Sequence, residues 1–191
     1  MSPAEVLRRI IAALDQAGIP HMLTGSYAGA FHGAPRATQD LDLVISPTEA
    51  QLREFARQLP ADRFYVPLEA AQEALRQETM FNVIDLVGGW KIDLILRKSR
   101  PFSRTEFERR QPANVFVIAL SVATLEDLIL AKLEWARHGG SRRQVEDVAE
   151  LLRRRAPDLD LPYLQPWIGV LGLEREWAEA TRLGSADRRD S

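Results

Sequence analysis

Apolar and polar residues recur at two different spacings in the first part of the chain, so this part is expected to mix helices with strands. After Ser2-Pro3, apolar side chains at helical spacing continue to Leu14, and Gly18 ends the segment, which predicts a first helix. Alternation over residues 40–45 predicts a strand, and the capping residues at 46–49 predict that a helix follows it. Helices and strands that alternate in this way indicate the α/β fold class.

Two strand-like runs stand later in this part, at residues 81–87 and 90–96. Gly88-Gly89 between them is the sequence of a two-residue hairpin loop, so the two strands are expected to pair antiparallel. A weaker helix is expected after Pro67, and residues 114–119 form one further β-rich run. The expected core is therefore a mixed β-sheet with flanking helices.

The pattern from Thr124 to the end of the chain is helical only. Thr124 and Ser141 stand where the N-caps of two helices are expected, and two shorter helical stretches follow. We therefore predict an α/β core over residues 1–120, a C-terminal helical bundle over residues 121–183 and a disordered tail over residues 184–191.

The composition restricts the classes of protein to which the chain can belong. Of its 191 residues, 46% are hydrophobic and the net charge is −2, which excludes a polybasic nucleic-acid binder but leaves a local basic groove open. Cysteine is absent, so disulfides, thiolate metal sites and a cysteine nucleophile are excluded, and a reducing compartment is expected. No apolar run reaches the roughly 18 residues of a membrane span, and the N-terminus lacks the features of a signal peptide. We expect a cytoplasmic protein with no membrane partner.

Asp40 and Asp42 are the first candidates for chemistry, because alternate residues of a strand project from the same face. Two carboxylates held this close repel each other in a low dielectric unless a cation lies between them. Oxygen ligands of this kind suit Mg²⁺ or Mn²⁺, so the pair predicts a metal site. The alternative is a pair of solvated charges at the end of a strand.

Asp93 is the third candidate, and the expected hairpin decides which way it points. Counting back from the Gly88-Gly89 loop pairs Ile84 with Asp93 and puts Asp93 on the face of Lys91. An acid on an otherwise apolar strand needs solvent, a partner or a metal ion. Asp85 falls on the opposite face, and we interpret it as a structural residue outside the site.

Gly25-Ser26 lies between an expected strand and an expected helix. Free backbone N–H groups and the positive end of the helix dipole attract phosphate at such a turn, although an ordinary turn with a serine N-cap has the same sequence. A phosphate-binding turn together with three carboxylates suits nucleotidyl transfer. In that reaction two metal ions bind the attacking and leaving oxygens of an in-line displacement.

Five stretches of the chain together resemble one known superfamily. Residues 25–28, 35–44 and 91–94 resemble the polymerase-β-like nucleotidyltransferases. Residues 126–134 and 147–151 are similar to the Lys-Leu and Asp-x-x-Asp-Leu motifs of the AbiEii-type toxin nucleotidyltransferases and their uncharacterised bacterial relatives, the group that the chain resembles most. The resemblance implies a nucleotidyltransferase-type α/β core followed by a helical bundle.

The resemblance also implies roles for the residues of these motifs. Gly25 and Ser26 would hold the triphosphate of an NTP. Asp40 and Asp42 would bind Mg²⁺ or Mn²⁺, and Asp93 would be a third metal ligand or the base that acts on the acceptor hydroxyl.

Four further residues are candidates for nucleotide binding. The resemblance implies that Lys132 neutralises phosphate charge and that Asp147 completes the pocket. The alternatives are a solvated lysine on a helix that packs through Leu128, Leu133 and Trp135, and an acid of the first helical turn. Arg36 and Thr38, in the loop before the acidic strand, either contact phosphate or the acceptor, or lie on the surface.

The expected function is a metal-dependent transfer of a nucleoside monophosphate from an NTP to an acceptor hydroxyl. The acceptor is an RNA 3′ end if the chain is a toxin, which would then have an antitoxin partner, or else a hydroxyl of a protein or small molecule. An antibiotic-modifying enzyme is a further alternative. Glu146 and Glu150 depart from the helix motif and motivate a different class of function, a catalytically degenerate fold that binds nucleotide or protein.

Overall fold

The computed structural model describes residues 2–186, and within that range the chain forms a mixed seven-stranded sheet and nine α-helices, as the α/β prediction requires. The strands are β1 His21–Leu23, β2 Asp40–Ile45, β3 Phe64–Tyr65, β4 Met80–Asp85, β5 Lys91–Leu96, β6 Gln111–Val115 and β7 Ile118–Val122. The helices are α1 Pro3–Gln16, α2 Gly25–Phe31, α3 Glu49–Gln58, α4 Leu68–Gln77, α5 Pro101–Glu108, α6 Leu125–Gly139, α7 Arg142–Arg155, α8 Leu161–Leu171 and α9 Glu174–Ala186. The strand order is β3-β4-β5-β2-β1-β7-β6.

The chain divides into two compact units. The first contains residues up to 27 together with 37–123, and the second contains residues 28–36 together with those from 124 onward. The segment 28–36 therefore clusters with the C-terminal helices, which the predicted division at residue 120 does not anticipate. Helix α9 continues through Ala186, so residues 184–186 are helical rather than the start of a tail, and residues 187–191 lie outside the described part of the chain.

Helices α1 and α6 begin at the predicted caps, Ser2 and Thr124, whereas the N-cap of α3 lies two residues after the predicted cap, Ser46. Ser2 caps α1 in a capping box with Glu5, and Thr124 accepts a hydrogen bond from the backbone N–H of Asp127 at the start of α6. Helix α3 is capped by Thr48 and Gln51 instead of the predicted Ser46. No helix within residues 2–186 has the length and apolar composition that crossing a membrane requires.

One face of the sheet in the first unit is buried and the other is partly open. The buried face of β2, β4 and β5 carries Leu41, Leu43, Ile45, Phe81, Val83, Ile92 and Leu94, all at most 4% exposed. Helix α4 packs on β4, and α3 packs against α1 and α4. Each fully buried side chain of this size contributes about 1.5–3 kcal/mol relative to exposure, so this face holds the sheet together and leaves the opposite face available for polar residues.

The hairpin of β4 and β5 has a different register from the predicted one. Asp93 pairs with Asn82 rather than with Ile84, because the loop spans residues 86–89 instead of the two glycines alone. Asp85 shapes that loop: its buried carboxylate accepts a hydrogen bond from the backbone N–H of Gly88 at 3.0 Å. Since the shift is an even number of residues, Asp93 keeps its predicted face, and Asp85 is structural, as interpreted from the sequence.

The β-rich run at residues 114–119 is a hairpin, not the single predicted strand. Strands β6 and β7 are joined by Phe116 and Val117, which both have positive φ values of 52° and 63°. Left-handed conformations of this kind match the twist of a two-residue hairpin, but they favour glycine or asparagine. The turn contains neither glycine nor asparagine, so the sequence has no turn signal there.

Helices of the second unit pack through their apolar faces. Helix α7 lies against α6 and α9, and α6 also contacts α8. Leu128 and Leu133 of α6 are fully buried, as predicted, but Trp135 is 51% exposed and does not pack inward.

We predict that Val117→Gly stabilises the protein by roughly 0.5–1 kcal/mol, because relief of the left-handed conformation outweighs the greater freedom of glycine in the unfolded chain. Val117 is 95% exposed, so few contacts are lost. Urea unfolding measures the change. Val117→Ala removes the same methyl groups but keeps Cβ, and it should gain much less. A loss of stability in Val117→Gly would contradict the assigned turn.

Candidate functional site

Asp40, Asp42 and Asp93 lie on the partly open face of the sheet. Strands β2 and β5 are parallel neighbours, and their register pairs Asp42 with Asp93 and Asp40 with Lys91. Adjacent strands are about 4.8 Å apart, so Asp42 and Asp93 project side by side. The predicted convergence of the third acid with the first two is therefore present in the structure.

The ammonium group of Lys91 lies among these carboxylates. Its Nζ is 3.1 Å from Oδ2 of Asp93 and 3.7 Å from Oδ1 of Asp40. Partial burial lowers the pKa of Lys91, but the hydrogen bond and charge of Asp93, with the charges of Asp40 and Asp42, outweigh it and raise that pKa above its ordinary value. All three acids thus act on one cation, which offsets their mutual repulsion.

Asp93 is held on both oxygens. The side-chain N–H of Asn82 donates to Oδ1 at 2.6 Å, while Lys91 contacts Oδ2. The residue is only 8% exposed, so its orientation is set by these partners. Asn82 was not singled out from the sequence, although a lone amide between Phe81 and Val83 in an apolar strand is a signal of a buried polar contact.

Asp42 lies against the turn that begins α2. Gly25 has a φ of +63°, and a Cβ built on it would overlap the carboxylate of Asp42. The backbone N–H of Thr24 donates to the carbonyl of Asp42 at 3.0 Å, which ties the end of β1 to β2 at this point. Ser26 follows and is buried. Glycine is therefore required at this turn by both its conformation and the close approach of the acid.

Asp40 is the most exposed of the three acids, with 52% of its side chain accessible. Its backbone N–H donates to the hydroxyl of Thr38 at 3.1 Å. Thr38 therefore has a structural task at the start of β2, a role that the sequence interpretation did not include.

The other predicted residues form a separate cluster in the second unit. Lys132 Nζ lies 2.7 Å from Oδ2 of Asp147 and donates to Oε1 of Gln144 at 3.2 Å. Arg36 Nε contacts the same Oδ2 of Asp147 at 3.1 Å. Lys132 is 4% exposed, so the alternative of a solvated lysine is wrong. Asp147 lies in the second turn of α7, so the first-turn alternative is wrong as well.

The segment that carries Arg36 is attached to α7 at a second point. A guanidinium N–H of Arg155 donates to the carbonyl of His32 at 3.4 Å. The ring of His32 is buried against Phe31, and His21 contacts the carbonyl of Ile19.

The two residues that depart from the helix motif are paired on their own helix. Glu146 forms an ion pair with Arg142, and Glu150 forms ion pairs with Arg153 and Arg154. These arginines are thereby engaged in local pairs one turn away, the common arrangement of a solvated helix face. The cluster of Lys132 with Asp147 is built without them.

The acids of the first unit fit a metal ion that shares its ligands with a nucleotide. Carboxylate oxygens are the donors that Mg²⁺ prefers, and Mg²⁺ usually takes one or two carboxylates together with substrate phosphates. Across residues 2–186, no three acidic or histidine side chains come close enough to hold a metal ion by themselves. The residues thus do not form a self-contained metal centre.

Three solved structures are similar to the chain over nearly its whole length. The solution structure of the antibiotic-resistance factor ANT(2'')-Ia is 14% identical, with 98% of this chain and 91% of that chain covered and a TM-score of 0.45. A crystal structure of an antigenic nucleotidyltransferase-like protein from Paracoccidioides brasiliensis is 18% identical, with 94% and 92% covered and a TM-score of 0.49. A crystal structure of ANT(2'')-Ia with adenylyl-2''-tobramycin is 11% identical, with 97% and 98% covered and a TM-score of 0.45. No family model and no curated protein matches the chain.

We predict that Gly25→Ala lowers the free energy of unfolding by about 2 kcal/mol or more, whereas Gly89→Ala lowers it by about 1 kcal/mol. Both glycines have positive φ values, but a Cβ at Gly89 meets nothing within 4 Å and one at Gly25 meets Asp42. The difference between the variants, measured by urea unfolding, isolates the close approach of Asp42. Equal losses would contradict that contact.

Proposed function

We propose that the chain is a nucleotidyltransferase that transfers a nucleoside monophosphate from an NTP to an acceptor hydroxyl. The observation that carries this proposal is the convergence of Asp40, Asp42 and Asp93 around Lys91, on an open sheet face beside the Gly25 turn. Clustered carboxylates repel one another, and such clusters are typical of functional sites. The motifs at residues 25–28, 35–44 and 91–94 support the same class of reaction.

Asp40 and Asp42 are the proposed ligands of Mg²⁺ or Mn²⁺, and Asp93 is proposed as the base. The bound ion would neutralise the charge that builds up on the phosphates during transfer. Asp42 is positioned for this role by the Gly25 turn, and its neighbour Asp93 by Asn82 and Lys91. When the nucleotide binds, Lys91 is left to pair with Asp93 alone or with phosphate.

The proposed chemical step assigns a role to each of these residues. Gly25 and Ser26 bind the triphosphate through backbone N–H groups. The acceptor oxygen forms a bond to the α-phosphorus, the bond from that phosphorus to the bridging oxygen breaks, and pyrophosphate leaves. Asp93 accepts the proton of the acceptor hydroxyl, which keeps the charge in balance.

Lys132, Arg36 and Asp147 are proposed to bind nucleotide charge through the second unit. Two cationic side chains share a single carboxylate oxygen of Asp147. A buried ammonium held in this way is an oriented donor for phosphate. Thr38, the fourth candidate, also places the start of β2.

An RNA 3′ end is the acceptor that we propose, in keeping with the AbiEii-type motifs at residues 126–134 and 147–151. A toxin of this kind would work in the cytoplasm with an antitoxin as its partner. Aminoglycosides and proteins are the competing acceptors, and an aminoglycoside panel accompanies RNA in the test.

The direct test incubates the protein with each α-labelled NTP, Mg²⁺ and total cellular RNA, in parallel with an aminoglycoside panel. We predict that Asp42→Asn reduces label transfer by about two orders of magnitude or more, because a metal ligand acting on transition-state charge supplies several kcal/mol. Asp62→Asn, an exposed acid of the same unit, is the matched control and should transfer label as the unaltered protein does.

Three outcomes would contradict parts of the proposal. Label transfer by Asp42→Asn at the rate of the unaltered protein rules out the catalytic site. Labelled aminoglycoside without labelled RNA rules out the RNA acceptor. Nucleotide binding by calorimetry without release of pyrophosphate favours the degenerate binding module instead.

A further inference from the structure

We propose that the open sheet face beyond Asp93 is a stacking platform for a base of the RNA acceptor, with Tyr65 as its centre. The proposal rests on the proposed function, because it assigns the acceptor side of the same site. It concerns strands β3 and β4, which lie outside the five motif stretches, and their pairing with β5.

The registers of these strands place Tyr65 in line with the site. Tyr65 pairs with Ile84, Ile84 pairs with Lys91, and Lys91 pairs with Asp40. Residues paired in this way share one face of a sheet, so the four form a row across it. Neighbouring β-strands are about 4.8 Å apart, so the backbone of Tyr65 lies about 10 Å from that of Lys91. An RNA whose 3′ end is at Asp93 could therefore place one of its last bases on Tyr65.

Tyr65 has no role in the core that accounts for its position. It is 57% exposed at the edge strand of the sheet, and Leu86 and Val87, in the loop that follows the paired strand β4, are 57% and 69% exposed. Phe64 alternates with it and is 2% exposed on the packed face. Exposed apolar side chains gathered beside a site, rather than scattered singly, mark a binding surface.

The direction of the reaction assigns this surface to the acceptor and not to the NTP. Across the sheet the order is the Gly25 turn after β1, Asp42 on β2, Asp93 on β5, Asn82 on β4 and Tyr65 on β3. The attacking and leaving oxygens of an in-line displacement lie on opposite sides of the phosphorus. If pyrophosphate leaves on the side of Gly25, the acceptor enters from the side of β4 and β3.

The chemistry of the platform favours a flat, neutral ring. Asn82, Ile84, Tyr65 and Leu86 carry no charge, and the nearby Arg63 is directed toward Asp85 and the ring of Phe64. A polycationic amino sugar would need further carboxylates along this path, and none of these residues supplies one. Nucleobases stack on aromatic side chains without regard to sequence, so a single tyrosine suits an RNA end.

The test uses a single-stranded RNA oligomer with a 5′ fluorophore and three variants of the full chain. Tyr65→Ala removes the ring, Tyr65→Leu keeps an apolar side chain, and Tyr65→Phe is the matched control that keeps the ring. Tyr65→Ala and Tyr65→Leu should raise the KM for RNA about fivefold to a hundredfold while the KM for NTP changes less than about twofold. Tyr65→Phe should behave as the unaltered protein does.

A second oligomer whose last two nucleotides lack bases completes the cycle. With this oligomer the KM of the unaltered protein for RNA should rise by the same factor as in Tyr65→Ala. The KM of Tyr65→Ala should not rise further. An unchanged RNA KM in Tyr65→Ala, a raised NTP KM, or an equal loss in Tyr65→Phe overturns the platform.

Failure of the platform and failure of the proposed function give different results. If the unaltered protein transfers no label, the proposed function is wrong, and fluorescence anisotropy of the oligomer still decides the role of Tyr65. Binding that is lost in Tyr65→Ala and Tyr65→Leu but kept in Tyr65→Phe supports the platform. Equal binding in all variants, or no binding by the unaltered protein, overturns it.

Discussion

Asp42 and Asp93 are held side by side because β2 and β5 pair in parallel register, and carboxylates at this spacing repel each other. The ammonium of Lys91 contacts Asp93 and Asp40 and partly offsets that repulsion. A divalent cation between a nucleotide and these acids would offset the repulsion more completely, since it carries twice the charge of an ammonium group. The need for positive charge at this point therefore links the fold to the proposed reaction.

The buried face of the sheet prevents the acids from moving apart. A slip of one residue between β2 and β5 would carry Leu41, Leu43 and their partners from the core to the open face. Each such side chain contributes about 1.5–3 kcal/mol by its burial, so several together outweigh the repulsion of a partly solvated pair of carboxylates. The core thus supplies the free energy that keeps a strained polar site in place.

Alternation along single strands predicted the faces of Asp40, Asp42 and Asp93, because a period of two is a local property of the chain. What depends on neighbouring strands was harder to predict. The loop built around Asp85 shifted the hairpin register by two residues. The turn at Phe116 and Val117 lacks the usual turn residues, and the contact of Lys91 with Asp40 requires the pairing of strands that are distant in sequence.

The most direct measurement is the pKa of Lys91, followed by ¹³C NMR of labelled lysine in the presence of a chelator. The chain has only three lysines, so the signals can be assigned with a Lys91→Arg variant. We predict that the pKa of Lys91 lies above the usual lysine value and falls toward it in Asp93→Asn. A pKa at or below the usual value in the unaltered protein would show that the three carboxylates do not converge on this ammonium.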